Sequence, residues 1–516
     1  MPVHLAITAL LAAAAVAAPD ARSKGPPGQP APAATTDPDA ARAELRRAIE
    51  AALAADFLAD AQVGILVRDL EDGTTLFARQ SDTLLNPASN VKLFTTFAAL
   101  SLAGSAYRYP TDVFATSAPS SKGRVEGPLY LRGTGDPALV TADLYELAGR
   151  LYARGIRRVE GPVVVDATAF AADRLPPGYD QKDEFAGYRP KVGAFSVNFN
   201  TFVVRIAPGP DVGRRATVRI DPPVPSIVLD EANVDTVAGW KRKVSVVHEV
   251  DDADRIHLRV TGDIGVDASV LDYRFPVVDP SRYAGEVFLL VLRQRGIRVA
   301  ERHVERGAVP RKAVRLGSHR SPAMAELVRA VNKFSNNFMA EQILYGLDDA
   351  RPATFDGALA RVRAYYEALG LAANALDLGN GSGLYDTNRA TPRAIVRLLE
   401  HAYADFRYAP DFLASLPIVG IDGTTRRRLR KTEATGWVRA KTGTLDGVSA
   451  LSGYAGATGR APLVFAIVMN DLSKWKGHAA RKVQDRIAEA LARYAKATAP
   501  SPRPNAPSPA EPRPAQ

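Results

Sequence analysis

The period of the apolar positions changes several times along the chain, and each change marks an element. Leu5 to Val16 is a short apolar stretch followed by small residues and Pro19. It is too short to span a bilayer but suits the hydrophobic part of a cleaved leader, with Ala18 as the last leader residue. Asp37-Pro38 supplies a cap and a first-turn proline, and Ala41 to Leu53 continues at helical spacing. Val63–Arg68 and Thr74–Ala78 flank Glu71-Asp72-Gly73, which predicts a β-hairpin. Three strand-like runs follow one another late in the chain: Gly436–Lys441, Val448–Tyr454 and Pro462–Met469. Each is bounded by Gly or Asp turns, and a helix is predicted over His478–Tyr494. Between the two groups, roughly 109–320, β-branched runs recur at Phe202–Ile206, Ala216–Ile220, Val244–Val247 and Ile256–Val260. A hairpin early and a meander late, each beside a helix, predict one α+β domain split in sequence by inserted β-rich material.

Composition narrows the chemistry. Among 516 residues there is no cysteine, which excludes disulfides, thiolate metal sites, iron–sulfur clusters and a thiol nucleophile. The net charge of +10 is spread along the chain, compatible with an anionic partner but without a nucleic-acid signature. Residues 19–38 are rich in proline and read as a tether, and Ala497–Gln516, with seven prolines, reads as a disordered tail. No apolar run reaches the length of a membrane span. HExxH, Walker, G-x-G-x-x-G and G-x-S-x-G patterns are all missing, and the seven histidines have no spaced partners. Glu249–Asp254 lacks the glycine and distal glutamate of a calcium loop and reads as a solvated turn. Arg426–Lys431 reads as a solvated helical face.

Three short motifs carry the positive signal. Ser89 and Lys92 stand three apart in Ser89-Asn90-Val91-Lys92, just before the apolar helical run Leu93–Leu102. At a helix start they share one face, so the lysine amine can reach the serine hydroxyl, and a desolvated lysine can act as base. The helix N-terminus favours the charge that develops when the serine attacks. A second S-x-x-K, Ser473 to Lys476, follows a strand and reads as a loop. Ser335-Asn336-Asn337 gives S-x-N within a helical stretch predicted over Leu327–Leu347, with two polar side chains able to face a cleft. Lys441-Thr442-Gly443-Thr444 gives K-T-G on a strand, its glycine allowing close approach of a substrate to the strand edge. Each triplet alone is an ordinary polar surface pattern. The three in this order and in these local structures are specific.

On these motifs the sequence resembles the active-site serine penicillin-recognising enzymes, and within them the low-molecular-mass class C penicillin-binding proteins, the insertion-bearing D-alanyl-D-alanine carboxypeptidase/endopeptidases. The gap from Ser89 to Ser335, 335 − 89 = 246 positions, selects this branch over compact β-lactamases. Leu131–Pro137, Ser196–Asn200, Gly381–Leu384 and Gly420–Thr424 are further echoes, so the resemblance covers nearly all of 39–496. One departure is Asn380, where the family usually has Asp before Gly-Ser-Gly-Leu.

The resemblance implies a transpeptidase/β-lactamase-like domain with a five-stranded antiparallel sheet and flanking helices. Its two parts would be 39–108 and 321–496, interrupted over 109–320 by inserted domains, one nested in the other. It further implies Ser89 as nucleophile, Lys92 as acylation base, Ser335 as proton relay and Lys441 as source of a positive field. Asn337 would hold the substrate backbone. The N–H groups of Ser89 and Thr444 would form the oxyanion hole, and Thr442 and Thr444, flanking Gly443, would bind the terminal carboxylate. No cofactor or metal is implied. The expected partners are peptidoglycan stem peptides and β-lactams as covalent inhibitors, with no nucleic acid and no membrane span, in an exported protein of the periplasm or cell wall. Two other readings stay open on the sequence: a serine β-lactamase, and a catalytically silent wall-binding scaffold.

Overall fold

A computed structural model describes residues 37–500. The leader predicted over 1–18, almost all of the 19–38 tether and the tail beyond 500 lie outside the described residues.

The hairpin and the late meander form one sheet. Strands β1 (Gln62–Asp69), β2 (Thr75–Arg79), β3 (Val438–Leu445), β4 (Val448–Ala455) and β5 (Leu463–Asn470) lie in the order β3-β4-β5-β1-β2. Every neighbouring pair is antiparallel, and β1 pairs with β5 along its whole length, from Gln62 opposite Asn470 to Asp69 opposite Leu463. β4 and β5 are buried at every position, because helices cover both faces of the sheet. That explains the apolar run of β5, unbroken up to Asn470.

On one face Val63, Ile65 and Val67 of β1 and Phe465, Ile467 and Met469 of β5 pack with helices α1 (Pro38–Leu53) and α10 (Gly477–Ala497). Helix α1 starts as its residues dictate: Asp37 accepts a hydrogen bond from the Asp39 N–H, and Pro38 occupies the first turn. On the opposite face Leu66, Val464, Ala466 and Val468 meet α2 (Val91–Ala103), α5 (Met324–Phe334), α6 (Asn337–Tyr345), α7 (Phe355–Ala368) and α8 (Pro392–Ala404). Helix α2 runs through the middle of this layer with Val91 to Leu100 all buried, the polar Lys92, Thr95 and Thr96 among them. The short helix α9 (Ala409–Ser415) packs on α5.

The inserted segment is not all β. A mixed five-stranded sheet places Val304–Arg306, Val163–Asp166, Leu129–Arg132, Pro110–Ala115 and Val314–Arg320 side by side. Helices α3 (Thr141–Ala153) and α4 (Pro280–Gln294) pack with it. Strands between Thr201 and Pro276 form two three-stranded sheets whose apolar side chains, among them Phe202, Val234 and Val260, share one continuous core with the mixed sheet. One stretch of the insertion leaves that core: Phe170, Val192 and Ala194 are buried instead in the core on the α2–α8 face of the split domain, with Phe170 packed on Tyr345 of α6.

Two local expectations need correction. The predicted helix Leu327–Leu347 is broken into α5 and α6, because Ser335 adopts a left-handed conformation (φ 56°) and Asn336 caps α6 by accepting from the Met339 N–H. Arg426–Lys431 is a series of turns and not a helical face. Its Arg428 turns inward to pair with Asp485 of α10 at 2.8 Å.

Candidate active site

Three elements meet over the exposed edge of β3. The turn Ala88–Asn90 leads straight into α2, leaving Ser89 half-buried at the mouth and Lys92 fully buried one turn below. The Lys92 amine donates to Ser89 Oγ at 3.1 Å, to Asn337 Oδ1 at 2.8 Å and to the Ser382 carbonyl at 2.5 Å. Burial is the main cause that lowers its pKa from 10.5 to about 7, opposed by the nearby charge of Glu341. A lysine in that range can hold or release a proton near neutrality.

The second hydroxyl–amine pair mirrors the first. The buried Lys441 of β3 donates to Ser335 Oγ at 2.8 Å and to the Thr442 carbonyl at 2.8 Å. Burial, reinforced by the charge of Lys92, holds its pKa well below the ordinary lysine value. The left-handed backbone of Ser335 aims its hydroxyl at Lys441 from the elbow between α5 and α6. Thr442 Oγ1 donates to Thr424 Oγ1 at 2.9 Å, and Thr444 is exposed at the strand's free end. Asn337 opens α6 with both ends of its amide engaged, the carbonyl by Lys92 and the Nδ2 donating to the Tyr188 carbonyl at 3.2 Å.

Gly443 meets a packing constraint that its motif does not suggest. A Cβ there would lie 2.8 Å from the Pro87 carbonyl oxygen and 3.1 Å from Ala88 Cβ, so the glycine lets the strand press against the turn that carries Ser89. Gly383 does the same from the other side: its φ is 75°, and a Cβ would fall 2.0 Å from the Ala88 carbonyl oxygen. Ala88 itself is left-handed at φ 46°, a strained conformation pinned by both glycines.

Residues that no motif pointed to complete the cluster. Glu341 is fully buried on α6, and its carboxylate accepts from the N–H groups of Gly381 (2.9 Å) and Ser382 (2.7 Å). Tyr179, from the inserted segment, shares a 2.8 Å hydrogen bond with Ser382 Oγ and donates to Glu341 at 3.4 Å. Glu341 stands four residues after Asn337 and so on the same helical face, the one signal that could have found it. For Tyr179 the sequence offers none. Asn380, the departure in the Gly-Ser-Gly-Leu loop, is wholly buried and keeps the loop folded. Its Oδ1 accepts from the Gly383 N–H, and its Nδ2 donates to the carbonyls of Pro177 and Leu384 and to Thr387 Oγ1. The second S-x-x-K lies in a loop with Trp475 exposed to solvent, as its context predicts.

A sheet covered by helices on both faces, with a serine opening the central helix and a lysine one turn inside it, defines the active-site-serine, penicillin-recognising class of enzyme. The model of the D-Ala-D-Ala carboxypeptidase 3 (S13) family matches residues 45–494; the chain belongs to that family and is a serine DD-peptidase. A D-alanyl-D-alanine carboxypeptidase of Actinomadura sp. (strain R39) is 36% identical over 473 residues, covering 89% of this chain and 86% of the relative. D-alanyl-D-alanine carboxypeptidase DacB of Haemophilus influenzae is 25% identical over 399 residues, with 76% and 82% covered. The crystal structure of penicillin binding protein 4 from Haemophilus influenzae superimposes with a TM-score of 0.71 at 22% identity, over 85% of this chain and 97% of that one. It shares the fold. Among the described residues no helix is long and apolar enough to cross a membrane.

Proposed function

We propose that Ser89 is the nucleophile that opens the D-Ala-D-Ala bond of peptidoglycan stem peptides, with Lys92 as its base. The observation that carries this is the 3.1 Å contact between the Ser89 hydroxyl and a buried amine whose pKa is brought to about 7. Ser89 Oγ attacks the carbonyl carbon of the penultimate D-Ala, and its proton passes to Lys92. The C–N bond breaks as the leaving amine takes a proton through Ser335, beside Lys441. Water then hydrolyses the ester and restores Ser89. Two easier acyl transfers replace one difficult one. The N–H groups of Ser89 and Thr444 serve the oxyanion, where losing one donor typically costs about 3–4 kcal/mol.

Thr442 and Thr444 on the free strand edge receive the terminal carboxylate. Asn337 meets the substrate backbone, which requires its amide to exchange the Tyr188 carbonyl for a substrate acceptor. A groove continues from Thr444 past Tyr188, Tyr385, Lys182, Asp386 and Arg389. Its mixed charges suit a zwitterionic side chain such as diaminopimelate, so cross-linked peptides are substrates beside free stem ends. Action on the wall places the enzyme outside the cytoplasm, after removal of the 1–18 leader. The partition into 39–108 and 321–496 around inserted domains at 109–320 belongs to the same reading.

Covalent labelling by a fluorescent penicillin tests it. Wild type and Ser473→Ala label stably, and Ser89→Ala does not. Label retained on Ser89→Ala overturns the assignment of the nucleophile, and rapid turnover of the penicillin makes the protein a β-lactamase. Release of D-Ala from pentapeptides against cleavage of cross-linked muropeptides then divides carboxypeptidase from endopeptidase.

A further inference from the structure

Beneath the serine–lysine pair lies a buried carboxylate for which the reaction above has no use. Glu341 contacts neither Ser89 nor the Lys92 amine within hydrogen-bonding distance. Its two oxygens take the N–H groups of Gly381 and Ser382, and the carbonyl of that same Ser382 receives a hydrogen bond from Lys92. Asn337, one turn earlier on α6, takes a second Lys92 N–H. Helix α6 therefore grips Lys92 twice, directly through Asn337 and indirectly through the Gly381–Ser382 backbone. Tyr179 closes the arrangement from the inserted segment, its hydroxyl lying between Ser382 Oγ and Glu341. A buried charge held only by neutral donors is costly and is usually replaceable by apolar packing. Its placement one peptide away from a catalytic amine is what makes it useful.

We propose that Glu341 is a positioning residue for Lys92. It fixes the Ser382 carbonyl that orients the amine toward Ser89, and it places one negative charge opposite the two buried lysines of the site. Tyr179 completes this mount, so the insertion contributes to the site and is not an appendage beside it. The titratable groups facing Lys92 are Glu341 from α6 and Lys441 from β3. Tyr179 faces Glu341, with the Tyr385 ring packed edge-on against it at 5.7 Å. The charge of Glu341 raises the pKa of Lys92 against the effect of burial. Removing that charge thus moves the Lys92 titration to lower pH.

This inference rests on Ser89 and Lys92 acting as proposed above. Failure of that reading would appear in wild type and Ser89→Ala; failure of this one leaves their labelling unchanged. The experiment is stopped-flow acylation by a fluorescent penicillin from pH 5 to 9 on the full chain, wild type beside Glu341→Gln and Glu341→Asp. Glutamine keeps the size but offers one acceptor to two N–H donors and carries no charge. Its plateau rate is expected to fall by about 10²-fold, the usual consequence of small misplacement at a reacting centre. The midpoint of its acid limb is expected to drop by about one pH unit. A purely structural role lowers the rate and leaves the midpoint where it was, and that result overturns the proposal. If circular dichroism shows that Glu341→Gln does not fold, Glu341→Asp decides. It keeps the charge and shortens the reach, so the midpoint stays and the plateau falls about tenfold, whereas a wild-type plateau overturns the positioning role.

Discussion

Lys92→Met is expected to yield a protein that has lost acylation and gained stability. The ammonium form of Lys92 is disfavoured in the folded state, where its pKa is about 7 against an ordinary 10.5. The unfolded chain therefore binds the proton more tightly. The folding cost is absent above pH 10.5, grows as pH falls, and is complete below about pH 7. At pH 7 it amounts to about 4 kcal/mol, from about three pH units at 1.4 kcal/mol each. Methionine fills similar space without charge but leaves Ser89 Oγ, Asn337 Oδ1 and the Ser382 carbonyl without their donor. At about 1 kcal/mol for each lost bond, the offset is about 2–3 kcal/mol, since Ser89 and Asn337 sit where water can reach. A net gain of about 1–2 kcal/mol remains at pH 7. Urea denaturation of both proteins at pH 7 and pH 9 measures it. Wild type should close on the variant by about 2 kcal/mol over that interval, the signature of one titrating proton. Parallel stability curves between pH 7 and 9, or a variant less stable at both, would refute the account of Lys92 as a buried amine carried for chemistry.

Other outcomes follow from packing around the same residues. Gly443→Ala places a methyl carbon 2.8 Å from the Pro87 carbonyl oxygen, so the turn bearing Ser89 must shift. Equilibrium unfolding should report a loss of about 1–3 kcal/mol, with acylation falling at least tenfold. Ser335→Gly relieves a left-handed non-glycine backbone by about 1 kcal/mol and loses the bond to Lys441 at about the same cost, so unfolding should change by less than about 1 kcal/mol while acylation slows in the same penicillin assay. Asn380→Asp turns a donor toward the carbonyls of Pro177 and Leu384 into an acceptor within a buried loop. A thermal melt should show a loss of about 2–4 kcal/mol, smaller at low pH where the new carboxyl is protonated.

The sheet and the Ser89–Lys92 pair were legible from the chain because their signals are local. Hydrophobic period and turn residues mark β1, β2 and the β3–β5 meander, and a spacing of three on a helix start suffices to join Ser89 to Lys92. The S-x-N motif was found but its conformation was not, because a serine in the left-handed region is imposed by its surroundings. Arg428 looked like its solvated neighbours until Asp485, distant in sequence, drew it inward. Glu341 and Tyr179 belong to a contact between α6, the Gly381–Ser382 loop and the insertion, brought together only by tertiary packing. Gly443 was read only for close approach of substrate, and its packing against the Pro87–Ala88 turn has no signal in the sequence.

The pairing of β1 with β5 has a consequence for how the enzyme comes into being. Gln62 finds its partner at Asn470, and Lys441 arrives on a strand almost as late. During synthesis the segment carrying Ser89 therefore exists long before the edge that completes its surroundings. Contacts this far apart in sequence also slow folding. A nascent or truncated chain ending before residue 438 would hold the serine and its lysine but neither the K-T-G edge nor a full partner for β1. Reactivity toward acyl donors should thus switch on late and abruptly, with the last strands rather than with Ser89 itself.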